Sequence, residues 1–371
     1  MSGAARHVLM TTDAVGGVWT HALDLATALA AFGTRTTLAV MGPGLDAARR
    51  AEAARVPGVT LLETGLPLDW LAQDPAELQR AGRELAGLTE KSRADLVQLN
   101  APALAADARF ACPVVGVCHS CLATWWEAVR GGPMPADFVW RSEMLARGYA
   151  ACDALAAPSG AFADATARVY AVPRRPDVVW NGRPPRPVAR AMAPFAFTAG
   201  RLWDEGKDLA TLDRAAAFLD IPVLAGGPSR GPNGAAVELP NLRLVGSLDA
   251  QAVDLWLARG PIFVSAARYE PFGLAVLEAA QAGCALVLSD IVSFRELWDG
   301  AALFVAPGDA AGFAAAITAL SRNQEQRNSL RVAAVRRARR YTAETMARGM
   351  AAVHARLYGG RVAKEEGSVA A

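Results

Sequence analysis

Two carboxylates, Glu270 and Glu278, stand with seven residues between them in the stretch RYEPFGLAVLEAA, residues 269–281. On one unbroken helix they would lie about 80° apart around the axis, close enough to share a face. Pro271 argues against an unbroken helix, because a residue before proline is pushed out of the α region. The sequence therefore places Glu270 in a loop and starts the helix near Phe272 or Gly273. A helix start carries unpaired backbone N–H groups and partial positive charge, which suits a phosphate. The N–H groups of Phe272, Gly273 and Leu274 would face such an anion. Glu278 follows among Val276, Leu277, Ala279 and Ala280, the neighbours of a buried helix. A buried acid needs partners. A carboxylate there can accept both hydrogens of a vicinal diol, such as the ribose of a nucleotide; the plain structural alternative is a solvent-facing helix glutamate.

Two further turns join a strand to a helix with suitable chemistry. In AGRLWDEGKDL, Arg201 follows a strand and Lys207 stands six positions later at the next helix start. Arginine offers a planar fork of donors and lysine a point charge, so the two can converge on a diphosphate. Solvated surface charges would look the same in sequence. In TTDAVGGVWTH, Gly16 and Gly17 let backbone approach an anion, although a double glycine is also an ordinary turn. The stretch is not G-x-G-x-x-G, which weakens a nicotinamide or flavin reading. His119, in VVGVCHSC, taken alone reads more readily as a structural histidine. Cys118 and Cys121 flank it, but no second Cys or His pair has matching spacing, so no metal site is expected.

The elements that must hold these residues follow from length and pattern. At 371 residues the chain exceeds the usual size of one hydrophobic core, so two domains are expected. A formal charge of +2 argues against a dedicated nucleic-acid binder. Five cysteines, an odd number, and a start without a charged-then-apolar leader read as a reduced, cytoplasmic protein. No apolar run is long enough to span a bilayer. Short apolar runs (HVLMTT, TTLAVM, DLVQLN, PVVGVCHS, DALAAPS) alternate with helical patterns, as in parallel sheets covered by helices on both faces. Residues 172–194 carry six prolines and read as a linker. The alternation then resumes from FAFTAGRL to AALFVAP. The expected layout is an N-terminal Rossmann-like domain over 1–185 and a second over 186–340. A C-terminal helix over 341–358 would cross back to the first domain, and a flexible tail would occupy 359–371. Two open parallel sheets facing each other leave a cleft at the C-terminal ends of their strands, where ligands bind in such folds.

Taken together, EPFGLAVLE, GRL followed by Lys207, VGSL, the GG loop after the first strand and VVWNG resemble glycosyltransferase family 4, the glycosyl transferases group 1, over residues 7–357. The resemblance implies the GT-B architecture and transfer of a sugar from a nucleotide-diphosphate donor with retention of anomeric configuration. It also implies a metal-independent hexosyltransferase with no cofactor beyond the nucleotide sugar as co-substrate. Carried over by position, Arg201 and Lys207 would hold the diphosphate and Glu278 the ribose, while Glu270 would face the transferred sugar. Phe272, Gly273 and Leu274 would supply backbone donors, and Val245 to Leu248 would lie along the nucleobase. Gly16 and Gly17 would close over the phosphates from the first domain, and His119 would touch the donor sugar's hydroxyls.

Some positions depart from the family pattern. Asp208 follows Lys207 where the family has glycine, and AGGPSRGPNG lacks the common glycine-acid-glycine turn. Arg183 and Pro184 follow the NG where the family has an aliphatic and an acid. No Asp-x-Asp pair occurs, which fits a site where basic side chains and helix ends replace a divalent cation.

The alternatives are a nucleotide-sugar epimerase of the same architecture and a non-catalytic nucleotide-sugar-binding partner protein. The acceptor, whether glycan, lipid-linked or small molecule, would dock mainly on the first domain. Trp125, Trp126, Trp140 and Arg141 there read either as a sugar-stacking surface or as core. Arg336, Arg337, Arg339, Arg340 and Arg348 read as a solvated helix face or as a weak peripheral contact with anionic lipid.

Overall fold

The computed structural model describes residues 5–13, 17–189, 191–231 and 234–369, the side chains of 360–369 excepted. The chain divides into two compact units. The first comprises residues up to 182, apart from 127–131, together with those from 343 onward; the second comprises 127–131 and 183–342.

The first unit is built on seven strands: β1 (His7–Asp13), β2 (Arg35–Met41), β3 (Val59–Glu63), β4 (Leu96–Leu99), β5 (Val114–Val117), β6 (Ala154–Ala157) and β7 (Asp177–Val178). They lie parallel in the order β3-β2-β1-β4-β5-β6-β7. Every residue of β4, β5 and β6 is buried, which is why these strands read as unbroken apolar runs instead of alternating ones. The covering helices begin where the sequence supplies caps. Asp74 accepts from Glu77 N with Pro75 in the first turn of Pro75–Ser92, and Ser159 accepts from Phe162 N at the head of Gly160–Tyr170. The last helix, Ala343–Val369, packs on the first, Gly17–Ala30. Met346, Ala347, Met350 and Val353 join Trp19, Leu25 and Leu29 in one core. This helix runs on past Gly359, where composition alone reads as a tail.

The second unit has six strands: β8 (Ala196–Ala199), β9 (Val223–Gly226), β10 (Arg243–Leu244), β11 (Ile262–Ser265), β12 (Ala285–Ser289) and β13 (Ala302–Val305). Their order is β10-β9-β8-β11-β12-β13, again parallel. Phe313, Ile317 and Leu320 of helix Ala310–Arg322 pack with Ile262, Val264 and Val287 in its core. Helix Gln324–Ala338 buries two arginines. Arg327 Nη2 donates to the carbonyls of Ala193 (2.8 Å) and Gly260 (2.7 Å), and Arg331 donates to those of Gly283 (2.6 Å) and Ala189 (2.7 Å).

Both sheets are therefore doubly wound, and each has one place where neighbouring strands send their connections to opposite sides. These places are β1/β4 in the first unit and β8/β11 in the second. The C-terminal ends of such a strand pair are where this architecture binds ligands. Among the described residues no helix is long and apolar enough to cross a membrane.

Candidate active site

In the second unit, the two loops that leave the switch point are tied to each other. After β8, Asp204 accepts from Gly206 N (2.9 Å) and closes a single 3₁₀ turn, Glu205–Lys207. Asp208 then adopts a left-handed conformation (φ 47°) and caps the helix Leu209–Ala216 through Thr211. After β11, the N–H groups of Arg268 and Tyr269 both donate to the Gly206 carbonyl, at 2.9 and 3.2 Å. Arg268 Nε also reaches Asp208 Oδ2 at 3.2 Å. This double tie brings Lys207 Nζ to 2.5 Å from Glu270 Oε2, with both side chains largely covered. Ser293 Oγ donates to the Glu270 carbonyl (2.6 Å) and fixes the loop from its other side.

Glu270 lies in the loop, and the helix is Leu274–Gln281. Gly273, at φ 90°, is its N-cap. An L side chain there would be strained, and its Cβ would stand 3.1 Å from the ring of Phe294. Phe272 points the other way, buried edge-on against Tyr341 with ring centroids 5.6 Å apart, so only its backbone is left to serve a ligand.

Glu278 is nearly buried and is met by two arginines that follow the VVWNG stretch, Arg183 at 2.9 Å and Arg186 at 3.1 Å, both by way of Oε1. Arg186 also pairs with Asp254. The sequence called for a partner to a buried acid but did not name these. The signal was available, because Arg183 stands where the resembled family carries an aliphatic residue. Arg201 is exposed, paired with Asp204 Oδ2 at 2.8 Å and lying over the Trp203 ring. Val245 to Leu248 follow β10 at the sheet edge. Gly227 N donates to the Gly246 carbonyl (2.8 Å), and Leu248 covers Gly226.

In the first unit, His119 lies just past β5 and is half-buried. Its Nε2 is 2.9 Å from Asn100 Oδ1, and Asn100 in turn is bound to Thr11 of β1. His21, from the helix Gly17–Ala30, packs edge-on against it, with centroids 4.6 Å apart. Burial holds the His119 imidazole well below its usual pKa, and the neighbouring His21 pushes it the same way. Burial also takes His21 down to about 4, a shift that Asn181 opposes only in part.

Cys118 and Cys121 are buried as thiols, outside any disulfide, and the Cys121 thiol is 2.8 Å from Thr124 Oγ1. Burial pushes both thiols up in pKa. Gly17 opens the first helix, and Gly16 lies outside the described residues. The tryptophans fall into two groups. Trp125 and Trp126 pack with Phe138, whereas Trp140 carries the Arg141 guanidinium 4.3 Å above its ring.

Residues 15–186 match the family described as Glycosyltransferase Family 4, and residues 194–323 match Glycosyl transferases group 1. The chain belongs to glycosyltransferase family 4. Solved structures agree on the architecture. A sucrose-phosphate synthase from Thermosynechococcus elongatus superposes with a TM-score of 0.78 at 18% identity, over 96% of this chain and 100% of that one. HepE from Anabaena, in complex with UDP and glucose, gives 0.71 at 14% identity, over 94% and 99%. WaaG, a glycosyltransferase involved in lipopolysaccharide biosynthesis, gives 0.66 at 13%, over 94% and 99%. At these identities the likeness is one of fold, and the glycosyltransferase has the two-domain α/β GT-B architecture. No curated protein matches its sequence.

Proposed function

We propose that this glycosyltransferase takes its sugar from a nucleoside-diphosphate donor and that its second unit holds the diphosphate. The observation that carries this reading is the construction at the β8/β11 switch point. There a lysine, a carboxylate and an open helix start are held together by two loops that share one carbonyl. HepE, with the same fold, binds UDP-glucose. When the anomeric bond breaks, positive charge grows on the sugar and negative charge on the departing diphosphate. Arg201, Lys207 and the N–H groups at Gly273 and Leu274 would stabilise the leaving group, and fixed donors of this kind are usually the largest catalytic contribution. Lys207 carries three donors, so it can keep Glu270 and still reach a phosphate oxygen. Glu270, held by Lys207, would orient the transferred sugar. Glu278, steadied by Arg183 and Arg186, would accept from the ribose hydroxyls, and Val245 to Leu248 would line the base.

In this scheme basic side chains and a helix start do the work a divalent cation would do elsewhere, and no cofactor is needed beyond the co-substrate. Gly16 and Gly17 would approach the phosphates and His119 the sugar hydroxyls. Retention of configuration is supported by the family resemblance. Transfer assays with UDP-glucose as probe donor test the reading. Lys207→Ala and Glu270→Ala should each lower kcat/KM by orders of magnitude in a folded protein, and a near-wild-type rate in either would contradict it.

A further inference from the structure

Asn100 stands at the C-terminal end of β4 and is bound twice to the adjacent strand β1. Its N–H donates to Thr11 Oγ1 (2.8 Å), and its Nδ2 donates to the Thr11 carbonyl (2.6 Å). Thr11 is 1% exposed, so its side of these bonds is shielded from solvent. The second bond settles which way the amide faces. A peptide carbonyl can only accept, so the NH₂ group must point at it and Oδ1 must point away. Oδ1 is the atom 2.9 Å from His119 Nε2. An amide oxygen likewise only accepts, so the imidazole proton sits on Nε2 and the lone pair on Nδ1. Among the described residues no hydrogen bond reaches His119 Nδ1. His21, 3% exposed and lying at 78° to the His119 ring, opposes rotation of that ring out of this arrangement.

We infer that Asn100 is a positioning residue for transfer: it holds the His119 proton on Nε2 and leaves Nδ1 as an acceptor for a hydroxyl of the bound sugar. This rests on the role proposed above for His119. The consequence is a specificity rule. His119 cannot donate to an ether or ester oxygen of the substrate or act as a proton donor to the leaving phosphate; it recognises a hydroxyl by accepting from it. A site built to pair with a hydroxyl rejects the analogue that lacks one far more strongly than an apolar pocket would.

The most direct test is ¹⁵N NMR of the full chain labelled at histidine, with the His119 signals assigned by their loss in His119→Gln. The neutral Nε2–H tautomer is expected at neutral pH, and either the Nδ1–H tautomer or an imidazolium there would overturn the inference. This reading needs no change at Asn100, so it stands even if that variant folds poorly. Kinetically, Asn100→Ala should mix the tautomers and lower kcat about tenfold or more, with KM for UDP-glucose little changed. A wild-type kcat in Asn100→Ala beside a slow His119→Ala would overturn the inference alone. A wild-type rate in His119→Ala would remove the role of His119 and this inference with it.

Discussion

Lys207 and Glu270 are 63 positions apart in the chain, and their side chains meet at 2.5 Å. Each residue was legible as a candidate on its own, the acid from Pro271 and the helix behind it, the lysine from its place after GRL. Their pairing was not legible, because it depends on a backbone carbonyl, Gly206, accepting from two residues of another loop. Glu278 shows the opposite balance. Its apolar neighbours announce burial and burial demands a partner, but the partners, Arg183 and Arg186, come from a distant stretch that departs from the family pattern, and spacing alone does not join it to Glu278. Glu278 and its two arginines are nearly buried, with side chains 14%, 10% and 11% exposed. Removing the carboxylate takes away the acid that both guanidinium groups share, although Arg186 keeps Asp254, and breaking a buried pair from one side costs about 3–5 kcal/mol. Glu278→Ala should therefore lower the unfolding free energy in urea by that order. The exposed Arg322–Asp220 pair sets the contrast, since Arg322→Ala should cost under about 1 kcal/mol. A Glu278→Ala protein as stable as the wild type would refute the buried triad.

At the scale of elements, the helix caps Asp74 before Pro75, Ser159 and Asn323 were not singled out in the sequence, although each is a residue type that favours a helix start. Nor were the buried arginines of helix Gln324–Ala338. The arginine cluster from Arg336 onward stands out by composition, whereas Arg327 and Arg331 donate to buried carbonyls. They fall in helical register with Ala334 and Ala338 on the buried face, and that spacing was the signal available. Arg331→Ala strands two buried carbonyls and should destabilise the protein by about 2–3 kcal/mol. Arg336→Ala, on the exposed side, should change stability by under about 0.5 kcal/mol; equal losses in thermal melts would argue against the clamp.

The helix Ala343–Val369 brings a second effect. His354 is buried beside Gln98, 3.1 Å away, with its pKa pushed down by burial to about 4, as His21 is. In the unfolded chain both titrate near 6.5, so between about 6.5 and 4 the unfolded state binds more protons. Their stabilising contribution is complete above pH 6.5 and is lost as pH falls toward 4, on the order of 3 kcal/mol each. Unfolding free energies at pH 7 and pH 5 should differ by about 2 kcal/mol for each histidine, the part of the loss complete by pH 5, and His354→Gln should flatten the dependence. An unchanged slope in that variant would mean His354 is not held neutral.

For the molecule as a whole, the α/β architecture was legible because parallel strands buried on both faces leave continuous apolar runs separated by helical periods. What stayed hidden was short pairing. β7 is two residues long inside a proline-rich stretch that reads as linker, and it earns strand status only from its neighbour β6. Both switch points gather residues singled out for chemistry, His119 in the first unit, where Asn100 joins it only in the structure, and Lys207 and Glu270 in the second. The central claim is that the second of these grips the leaving diphosphate. A crystal structure of the glycosyltransferase with UDP tests it most directly. The account predicts diphosphate oxygens within about 3 Å of Lys207 Nζ and of the backbone nitrogens at Gly273 and Leu274. A diphosphate bound away from the β8/β11 loops would contradict it.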